Sequence, residues 1–327
     1  MYPLVFTPIL KEKLWGGKNL PKFYRDIEHN TDAPIGEAYL ISGLETDTSV
    51  VQNGFWAGLS LNQLIQQYQG QFVGQKVFKR FFHRFPLLIK IIDAADDLSL
   101  QVHPNDEVAK KHGEKNGKTE MWYVAGTTRE KSSIIAGFKE PITQSQLFET
   151  LCNGVVSKYL QKIPVQKGDV FQIDAGKVHS IGGGCLMAEI QQTSDLTYRI
   201  HDFDRKDSKG VKRALHLDEA KDAINYGDAS SGKVQYEQDR QGAQTIVDCP
   251  YYTSNLLHCS DALSRDYRRL DSFVVLLGVE GMCHVLANGA KVGLDNLNAV
   301  LMPANVNQLQ IKPLGKSCKV LEIFISG

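Results

Sequence analysis

The chain has 327 residues, 42% of them hydrophobic and 23% charged, and its 37 basic and 37 acidic side chains give a formal net charge of zero. Such a composition is ordinary for a globular protein, and the length leaves room for a large core and two domains. The charge balance argues against a nucleic acid or an anionic membrane surface as the general partner.

The first residues, MYPLVFTPIL, lack the basic start and the long apolar run of a secretory signal. The longest apolar stretches fall far short of the roughly 20 residues that span a bilayer. The six cysteines form no CxxC pair, which favours free thiols in a reducing compartment. We therefore expect a cytoplasmic protein with no membrane partner.

Short apolar or alternating runs between turn-forming residues predict a mainly β protein. No βαβ alternation of strands and helices occurs, which argues against a doubly wound sheet. The predicted strands are residues 37–42, 87–92, 98–103, 121–125, 170–173, 185–192, 272–277 and 299–302.

Helices are fewer, and capping residues mark where they start. Ser60 can cap one helix, and Thr143 with Gln146 has the form of a capping box for another. Asp218 can cap a third helix over residues 219–226. The expected helical segments are about 60–82, 105–118 and 143–162.

Residues 226–244 (YGDASSGKVQYEQDRQGAQ) are polar and rich in Gly and Ser, which makes this segment the best candidate for a domain boundary. Several short predicted strands and almost no helix follow it. We therefore predict one domain over residues 1–235 and a smaller all-β domain over residues 236–327.

The segment GDVFQIDAGKVHSIGGG, residues 168–184, contains a predicted strand, a tight turn and then His179. It resembles the second cupin motif, G-x5-P-x-G-x2-H, at Gly168, Gly176 and His179. Asp174 stands where proline is usual. This departure affects the turn and leaves the histidine, a potential metal ligand, in place.

The segment LSLQVHPND, residues 98–106, places Gln101 and His103 two residues apart in a predicted strand, so both side chains share a face. It resembles the first cupin motif, with Gln-x-His for His-x-His and a carboxylate, Glu120, after a lysine-rich helical insertion. With His179 added, two nitrogens and two oxygens become available to one divalent ion, a set that suits zinc.

Each of these residues also has a structural interpretation. A histidine near a strand end is more often a surface or hydrogen-bonded residue than a ligand. Glu120 can be a salt-bridge partner, and Gln101 can satisfy backbone groups. The combined pattern, and no single residue, supports the metal site.

Motifs in order over nearly the whole chain resemble the type I mannose-6-phosphate isomerases in their shorter bacterial form. The specific ones are QVHP, AGKVHSIG and EIQQTSDLTYRIHDFDR, and the weaker ones are WGG, GE, FPLLIKII and GKTEMW. The resemblance implies a cupin jelly-roll β-barrel with a small helical insertion, followed by a second, degenerate cupin-like domain. It also implies a cytoplasmic isomerase of carbohydrate metabolism.

The resemblance implies the same four metal ligands, holding one zinc ion per chain. It implies catalytic roles for Arg199, Lys118 and Glu189. It also places Ser99 and Lys90 near the phosphate of a small sugar-phosphate substrate.

The implied reaction interconverts mannose 6-phosphate and fructose 6-phosphate by moving a proton between C1 and C2 through an enediolate. The C–H bond is too weakly acidic unless this enediolate is stabilised, which a metal and fixed cations can do. Arg199 would stabilise the enediolate or bind phosphate, or else pair with Asp202 or Asp204. Lys118, Glu189 and a metal-bound water all remain candidates for the base, and Lys118 can also be an exposed loop lysine.

The C-terminal strands resemble a cupin that has lost its metal. Pro303 matches the motif proline, but Gln308 stands where the ligand histidine would be. His284 has no suitable partner nearby in the sequence. We therefore expect no metal in this domain, and a role in packing or in support of the substrate cleft.

Two alternatives stay open. One is a sugar-binding or regulatory cupin without catalysis, which the loss of a metal ligand, Lys118 or Arg199 would favour, and none is lost. The other is a metal-dependent cupin isomerase of another sugar. Only the predicted phosphate residues, Ser99 and Lys90, distinguish the sugar-phosphate enzyme from it. A monomer and a homodimer fit the sequence equally well.

Overall fold

The structure is a computed structural model that describes residues 1–25, 27, 29, 33–152, 155–207 and 209–326. The chain forms two compact units, each assembled from segments that are distant in the sequence. Unit 1 comprises Met1–Ile9, Tyr39–Lys90 and Gln235–Gly327, and unit 2 comprises Leu10–Ala38 and Ile91–Val234. Residues 1–9 and 39–90, predicted to belong to the N-terminal domain, group by their contacts with the C-terminal strands.

Strands dominate both units, which confirms the predicted mainly β class. In chain order they are β1 (Leu4–Val5), β2 (Ile9–Gly17), β3 (Ile35–Ile41), β4 (Leu87–Ala94), β5 (Leu100–Val102), β6 (Glu120–Thr127), β7 (Ser133–Phe138), β8 (Leu160–Pro164), β9 (Val170–Ile173), β10 (His179–Ile181), β11 (Cys185–Gln192), β12 (Tyr198–His201), β13 (Gly242–Asp248), β14 (Thr253–Cys259), β15 (Leu263–Asp266), β16 (Val274–Glu280), β17 (Cys283–Ala287), β18 (Ala290–Leu294), β19 (Ala299–Met302), β20 (Gln308–Pro313) and β21 (Cys318–Phe324). All eight predicted strands are present, and β9, β11 and β19 have the predicted bounds.

The helices are short. They are α1 (Leu20–Phe23), α2 (Leu61–Tyr68), α3 (Gly70–Val73), α4 (Gln75–Phe81), α5 (Asp106–Lys111), α6 (Gln144–Cys152) and α7 (Leu217–Ala223), with 3₁₀ turns at Gly54–Trp56 and Val156–Lys158. Within the described residues, none of these helices combines the length and hydrophobicity needed to cross a bilayer.

Two predicted helix starts are confirmed as capping boxes. Ser60 Oγ accepts a hydrogen bond from the Gln63 amide at 3.2 Å, and Gln63 Oε1 accepts one from the Ser60 amide at 2.8 Å. Thr143 and Gln146 exchange the same pair of bonds at 3.2 and 2.7 Å. These reciprocal bonds satisfy two amides that have no partner inside their helix.

The predicted helical segments are wrong in extent. Gln69 and Gly74, at φ 48° and 101°, divide the segment 60–82 into α2, α3 and α4 because a helix requires negative φ. In the segment 105–118 the helix α5 ends at Lys111, before Gly113 at φ 81°. In the segment 143–162, residues 153–154 lie outside the described residues and β8 already begins at Leu160.

The predicted cap of α7 is also wrong. This helix begins at Leu217, so Asp218 lies inside its first turn. There its carboxylate accepts a hydrogen bond from Lys221 at 2.7 Å and complements the positive end of the helix dipole.

Unit 1 contains two antiparallel sheets. Six strands follow the order β1-β19-β16-β21-β14-β13, and four follow the order β15-β20-β17-β18. Side chains from both sheets, including Leu257, Leu276 and Ile311, meet in one buried apolar cluster. The strands β15 and β18 alternate between more and less exposed residues because their second face is open to solvent.

A polar network lies inside unit 1, centred on the fully buried carboxylate of Glu322 in β21. It accepts hydrogen bonds from Asn255 Nδ2 at 2.7 Å, from Tyr267 Oη at 2.5 Å, and from Arg265 Nε and Nη2 at 2.7 and 2.8 Å. Burial raises the pKa of Tyr267, so its hydroxyl stays protonated and can donate. The carboxylate is therefore buried with several donors around it.

Unit 2 contains a five-stranded sheet, β12-β5-β10-β7-β8, and most of a six-stranded sheet, β2-β3-β4-β11-β6-β9, of which Tyr39–Ile41 in β3 and Leu87–Lys90 in β4 belong to unit 1. Trp122, Ile134 and Ile181 belong to an apolar cluster that joins the two sheets. A second cluster packs α6 and α7 against the other face of the five-stranded sheet. Among the described strands no sheet closes on itself, and unit 2 is built from two sheets that share an apolar cluster.

Candidate metal and active site

Three strands of the five-stranded sheet bring distant parts of the sequence together. The strands β5 and β10 pair so that Gln101 lies opposite His179, and β12 places Arg199 opposite Gln101 on the other side. The opposing carboxylate comes from the six-stranded sheet, where Glu120 is the first residue of β6. The candidate site therefore lies between the two sheets of unit 2.

Two tight turns flank β9, and each contains one glycine of the motif that ends at His179. Gly168 and Gly176 have φ values of 89° and 91°, a region that favours glycine. A Cβ at Gly176 would also lie 3.1 Å from the carbonyl oxygen of Ala223. Asp174 takes the usual proline position and still closes the turn, because its carbonyl accepts the amide of Lys177 at 3.1 Å.

His103, Glu120 and His179 form a buried group whose potential ligand atoms all lie within 4.8 Å of one another. The two Nε2 atoms are 3.2 Å apart. The Glu120 oxygens lie 3.5 Å from Nε2 of His103 and 3.6 Å from Nε2 of His179. The structure thus brings three of the four predicted metal ligands together at one point.

Backbone carbonyls fix the tautomers of both histidines. Nδ1 of His103 is 2.9 Å from the carbonyl oxygen of Leu196, and Nδ1 of His179 is 2.8 Å from that of Lys177. Because a carbonyl oxygen only accepts, each Nδ1 carries the proton and each Nε2 presents its lone pair. Two lone pairs and a carboxylate then converge, which is an arrangement that attracts a cation.

His179 is held in the neutral form that a metal ligand requires. Its pKa is lowered to about 3, mainly by burial; the hydrogen bond to the Lys177 carbonyl opposes this shift, and the nearby Lys118 ammonium contributes to it. A neutral imidazole in a dry site keeps its lone pair available near pH 7.

Gln101, the fourth predicted ligand, is also at this point. Its Nε2 lies 3.3 Å from His179 Nε2, while its Oε1 accepts a hydrogen bond from Ser99 Oγ at 3.2 Å. A half-turn of the amide would direct the oxygen, the atom that binds metals, to the same place. Ser99, predicted near the phosphate, is therefore a direct partner of a predicted metal ligand.

Lys118 is buried beside the metal group, so its interpretation as an exposed loop lysine is wrong. Its Nζ lies 2.8 Å from Glu120 Oε2, 3.0 Å from His103 Nε2 and 3.9 Å from Glu189 Oε1. The ammonium thus lies between two carboxylates and next to the imidazole of a predicted metal ligand.

Glu189 is held by Trp122, for which no role was predicted. Trp122, opposite Glu189 in the β6–β11 pair, donates its indole N–H to Glu189 Oε2 at 2.8 Å. Trp122 stands in the quoted GKTEMW motif, so a signal was available. No such signal was available for the Leu196 and Lys177 carbonyls that bond the two histidines, because every residue has a backbone carbonyl.

Arg199 does not depend on the ion pairs considered for it. The Asp202 carboxylate binds Arg205 at 2.6 Å and Arg213 at 2.5 Å, and Asp204 binds Lys212. Arg199 Nη1 donates instead to the carbonyl oxygen of Ala214 at 2.9 Å. Burial and then the neighbouring Arg213 lower the pKa of Arg199 from its usual value.

Lys90, the second residue predicted near the phosphate, lies in β4 and is buried. Its Nζ is 5.9 Å from the centroid of the Tyr39 ring, within the range of a cation–π contact. In unit 1, Gln308 begins β20 as an exposed residue, and His284 is half-buried in β17.

A family model and two relatives of known name match this chain, and all three are mannose-6-phosphate isomerases, also called phosphomannose isomerases. Residues 4–130 match the family model of the type I phosphomannose isomerase catalytic domain. The chain is 32% identical over 317 residues to the mannose-6-phosphate isomerase ManA of Bacillus subtilis, with 95% of this chain and 96% of that protein covered. It is 39% identical over 254 residues to the mannose-6-phosphate isomerase of Streptococcus mutans, with 77% of each covered.

A solved structure supports the same relationship. The crystal structure of the mannose 6-phosphate isomerase from Bacillus subtilis superposes with a TM-score of 0.86 at 28% sequence identity, and 99% of each chain is covered. The likeness therefore extends over both units and not only over the segment matched by the family model.

Proposed function

The chain belongs to the type I mannose-6-phosphate isomerases, and on that premise we propose where its metal and catalytic groups lie. It is a metal-dependent aldose–ketose isomerase that interconverts mannose 6-phosphate and fructose 6-phosphate. The proposed centre is the buried group of His103, Glu120 and His179, with Gln101 as fourth ligand. The observation that carries the proposal is the convergence of two imidazole lone pairs and a carboxylate within 4.8 Å.

We propose zinc, one ion per chain. Two imidazole nitrogens, a carboxylate and an amide oxygen form a set that zinc accepts, and it leaves a position for substrate or water. One carboxylate against a doubly charged ion leaves a net positive centre. When bound, the ion polarises the sugar oxygens and stabilises negative charge that develops there.

Lys118 and Glu189 are the proposed groups that take and return the proton moved between C1 and C2. Support comes from their burial and from the 3.9 Å between Lys118 Nζ and Glu189 Oε1, a distance that one substrate atom or water can bridge. Trp122 orients Glu189 from behind by hydrogen-bonding the other oxygen. Which of the two carries out the abstraction follows from the substrate's position.

Arg199 is proposed to stabilise the enediolate or to hold the phosphate. Arg199 lies opposite Gln101 in the β5–β12 pair, and a guanidinium keeps its positive charge at any pH at which the enzyme works. Ser99 and Lys90 are proposed phosphate contacts. The support for Ser99 as a phosphate contact is weaker, because its hydroxyl already donates a hydrogen bond to the side-chain amide of Gln101.

We infer that the facing sheets of unit 2 form a cupin jelly roll and that the C-terminal strands form a second, degenerate cupin. The two glycines with positive φ in the motif around His179 support the first inference. The exposed Gln308 at the ligand position and the apolar cluster between the two sheets of unit 1 support the second.

The test is metal removal. Dialysis against a chelator should abolish isomerisation of mannose 6-phosphate, measured by a coupled assay for fructose 6-phosphate, and stoichiometric zinc should restore it. Free mannose, assayed in parallel, should be a much poorer substrate because it lacks the phosphate contacts. Full activity in a protein free of metal by elemental analysis would refute the proposed centre.

A further inference from the structure

A turn of four residues, 174–177, connects the two histidines of the proposed metal centre. The amide of Gly176 donates to the carbonyl oxygen of His103 at 2.8 Å. The next carbonyl, that of Lys177, accepts the Nδ1 proton of His179 at 2.8 Å. Any shift of this turn therefore changes the position of one histidine and the tautomer-fixing bond of the other.

The side chain of Lys177 is among the most buried in the protein, with 1% of its surface exposed. Its ammonium forms an ion pair with Asp228 and donates to the carbonyl oxygen of Ser230 at 2.8 Å, with Ser230 Oγ at 3.4 Å. A buried ammonium is unfavourable unless it is paired and hydrogen-bonded, and these partners satisfy it.

These partners come from a segment about fifty residues away along the chain, and that segment is itself fixed. The carbonyl oxygen of Asp228 accepts the amide of Phe138 at 3.2 Å, at the end of β7. The amide of Asn225 donates to the carbonyl oxygen of Gly176 at 2.9 Å. Lys177 thus attaches the turn to a part of unit 2 that packs on the five-stranded sheet.

We propose that Lys177 and Asp228 are positioning residues for the metal centre. Their ion pair holds the turn so that the Lys177 carbonyl keeps the proton of His179 on Nδ1 and aims Nε2 at the ion. The inference rests on the proposed metal site and assigns neither residue a contact with metal or substrate. Without the ion pair the turn keeps only its backbone hydrogen bonds, and the orientation of the imidazole is held less firmly.

Partners that orient a metal-binding histidine typically contribute 10–100-fold to metal affinity. We therefore expect Lys177→Met and Asp228→Asn each to weaken zinc binding by about 10-fold or more. At saturating zinc, kcat should return toward the parental value and KM should hardly change, because no substrate contact is removed. Lys177→Arg keeps the charge and should retain most of the affinity.

The experiment measures zinc affinity of the full-length apo-protein by competition with a chromogenic chelator, together with thermal unfolding and the visible spectrum of the Co²⁺-loaded protein. The matched control is Lys233→Met, which breaks another Lys–Asp pair of unit 2, with Asp169 at 2.8 Å. The control should keep parental zinc affinity and cobalt spectrum even if its unfolding temperature falls.

Parental zinc affinity and cobalt spectrum in folded Lys177→Met and Asp228→Asn would overturn the inference, because the pair would then serve stability alone. If Lys177→Met does not fold, Asp228→Asn decides, since Asp228 is nearer the surface. A parent protein that binds no zinc and isomerises sugar phosphate without it would overturn the proposed metal centre and this inference together. If the parent binds zinc tightly and both variants bind it equally tightly, the inference is overturned and the proposed metal centre is not.

Discussion

Backbone carbonyl groups fix the tautomers of the two histidines of the site, and the type of residue that supplies such a carbonyl does not reveal this role. Leu196 and Lys177 supply only backbone oxygens, yet these oxygens decide that both imidazoles present Nε2 to the same point. The sequence could predict that His103 and His179 are ligands, because their motifs resemble those of a known family. It could not predict the tautomers, because these follow from chain geometry.

Replacement of His179 by alanine should remove metal and activity together. The variant loses one of three ligands that converge within 4.8 Å, while the apolar clusters of unit 2 remain. A domain of this size has its own core and should fold without the ion. Elemental analysis and circular dichroism measure the two effects. His284→Ala, a half-buried histidine of unit 1, is the control, and parental zinc content in His179→Ala would exclude His179 as a ligand.

Arg199 should act mainly on the rate. If it stabilises the enediolate, Arg199→Ala should lower kcat by about 10²–10³ and change KM much less, because the interaction strengthens in the transition state. Arg199→Lys keeps the charge but loses the planar fork, so it should recover only part of the rate. If Arg199 mainly holds phosphate, KM rises instead.

Steady-state kinetics at fixed zinc content separate these outcomes for Arg199. The control is Arg268→Ala, an exposed arginine of unit 1 paired with Asp266, which should keep parental kinetics. Parental kcat and KM in both Arg199 variants would make this residue structural and remove it from the catalytic set.

At the scale of elements, the starts of helices were predictable from local signals, whereas the helix break at Gln69 was not. The capping boxes at Ser60 and Thr143 need only residues three apart, so the sequence contains the whole signal. The break at Gln69 requires a positive φ in a residue that is not glycine. No local preference favours that conformation, and the packing of unit 1 must impose it.

The strands were better predicted than the sheets. Apolar runs such as that of β4, buried on both faces, are visible in the sequence. The pairing of β5 with both β10 and β12 is not, because Gln101 is paired with His179 and with Arg199, which lie 78 and 98 positions further along the chain. The convergence of Gln101, His179 and Arg199 is a property of that pairing, and only the family resemblance indicated it in advance.

For the whole molecule, the stability of unit 1 should depend on one buried carboxylate. Glu322→Ala leaves Arg265, Tyr267 and Asn255 without their acceptor, and breaking a buried charge pair costs about 3–5 kcal/mol. Urea unfolding should show this loss. Zinc affinity should stay parental, because all four proposed ligands belong to unit 2.

A matched control for this prediction is Asp261→Ala, an exposed acid in the same unit, which should change the free energy of unfolding by no more than about 0.5 kcal/mol. Unchanged stability in Glu322→Ala would mean that the network contributes nothing net. Weakened zinc binding in that variant would mean that the two units do not behave independently.

The interleaving of the two units has a consequence for biosynthesis. β1 pairs with β19, so Leu4 meets Leu301, and residues 39–90 also belong with a segment that begins at residue 235. At a synthesis rate of about 5–20 residues per second, the first strand waits roughly 15–60 s for its partner. Unit 2, complete at Val234, can fold earlier, while apolar residues of unit 1 stay uncovered on the ribosome. Residues 1–9 and 39–90 of the nascent chain therefore lack their partner strands until the segment that begins at residue 235 emerges, and this interval is when aggregation competes most with folding.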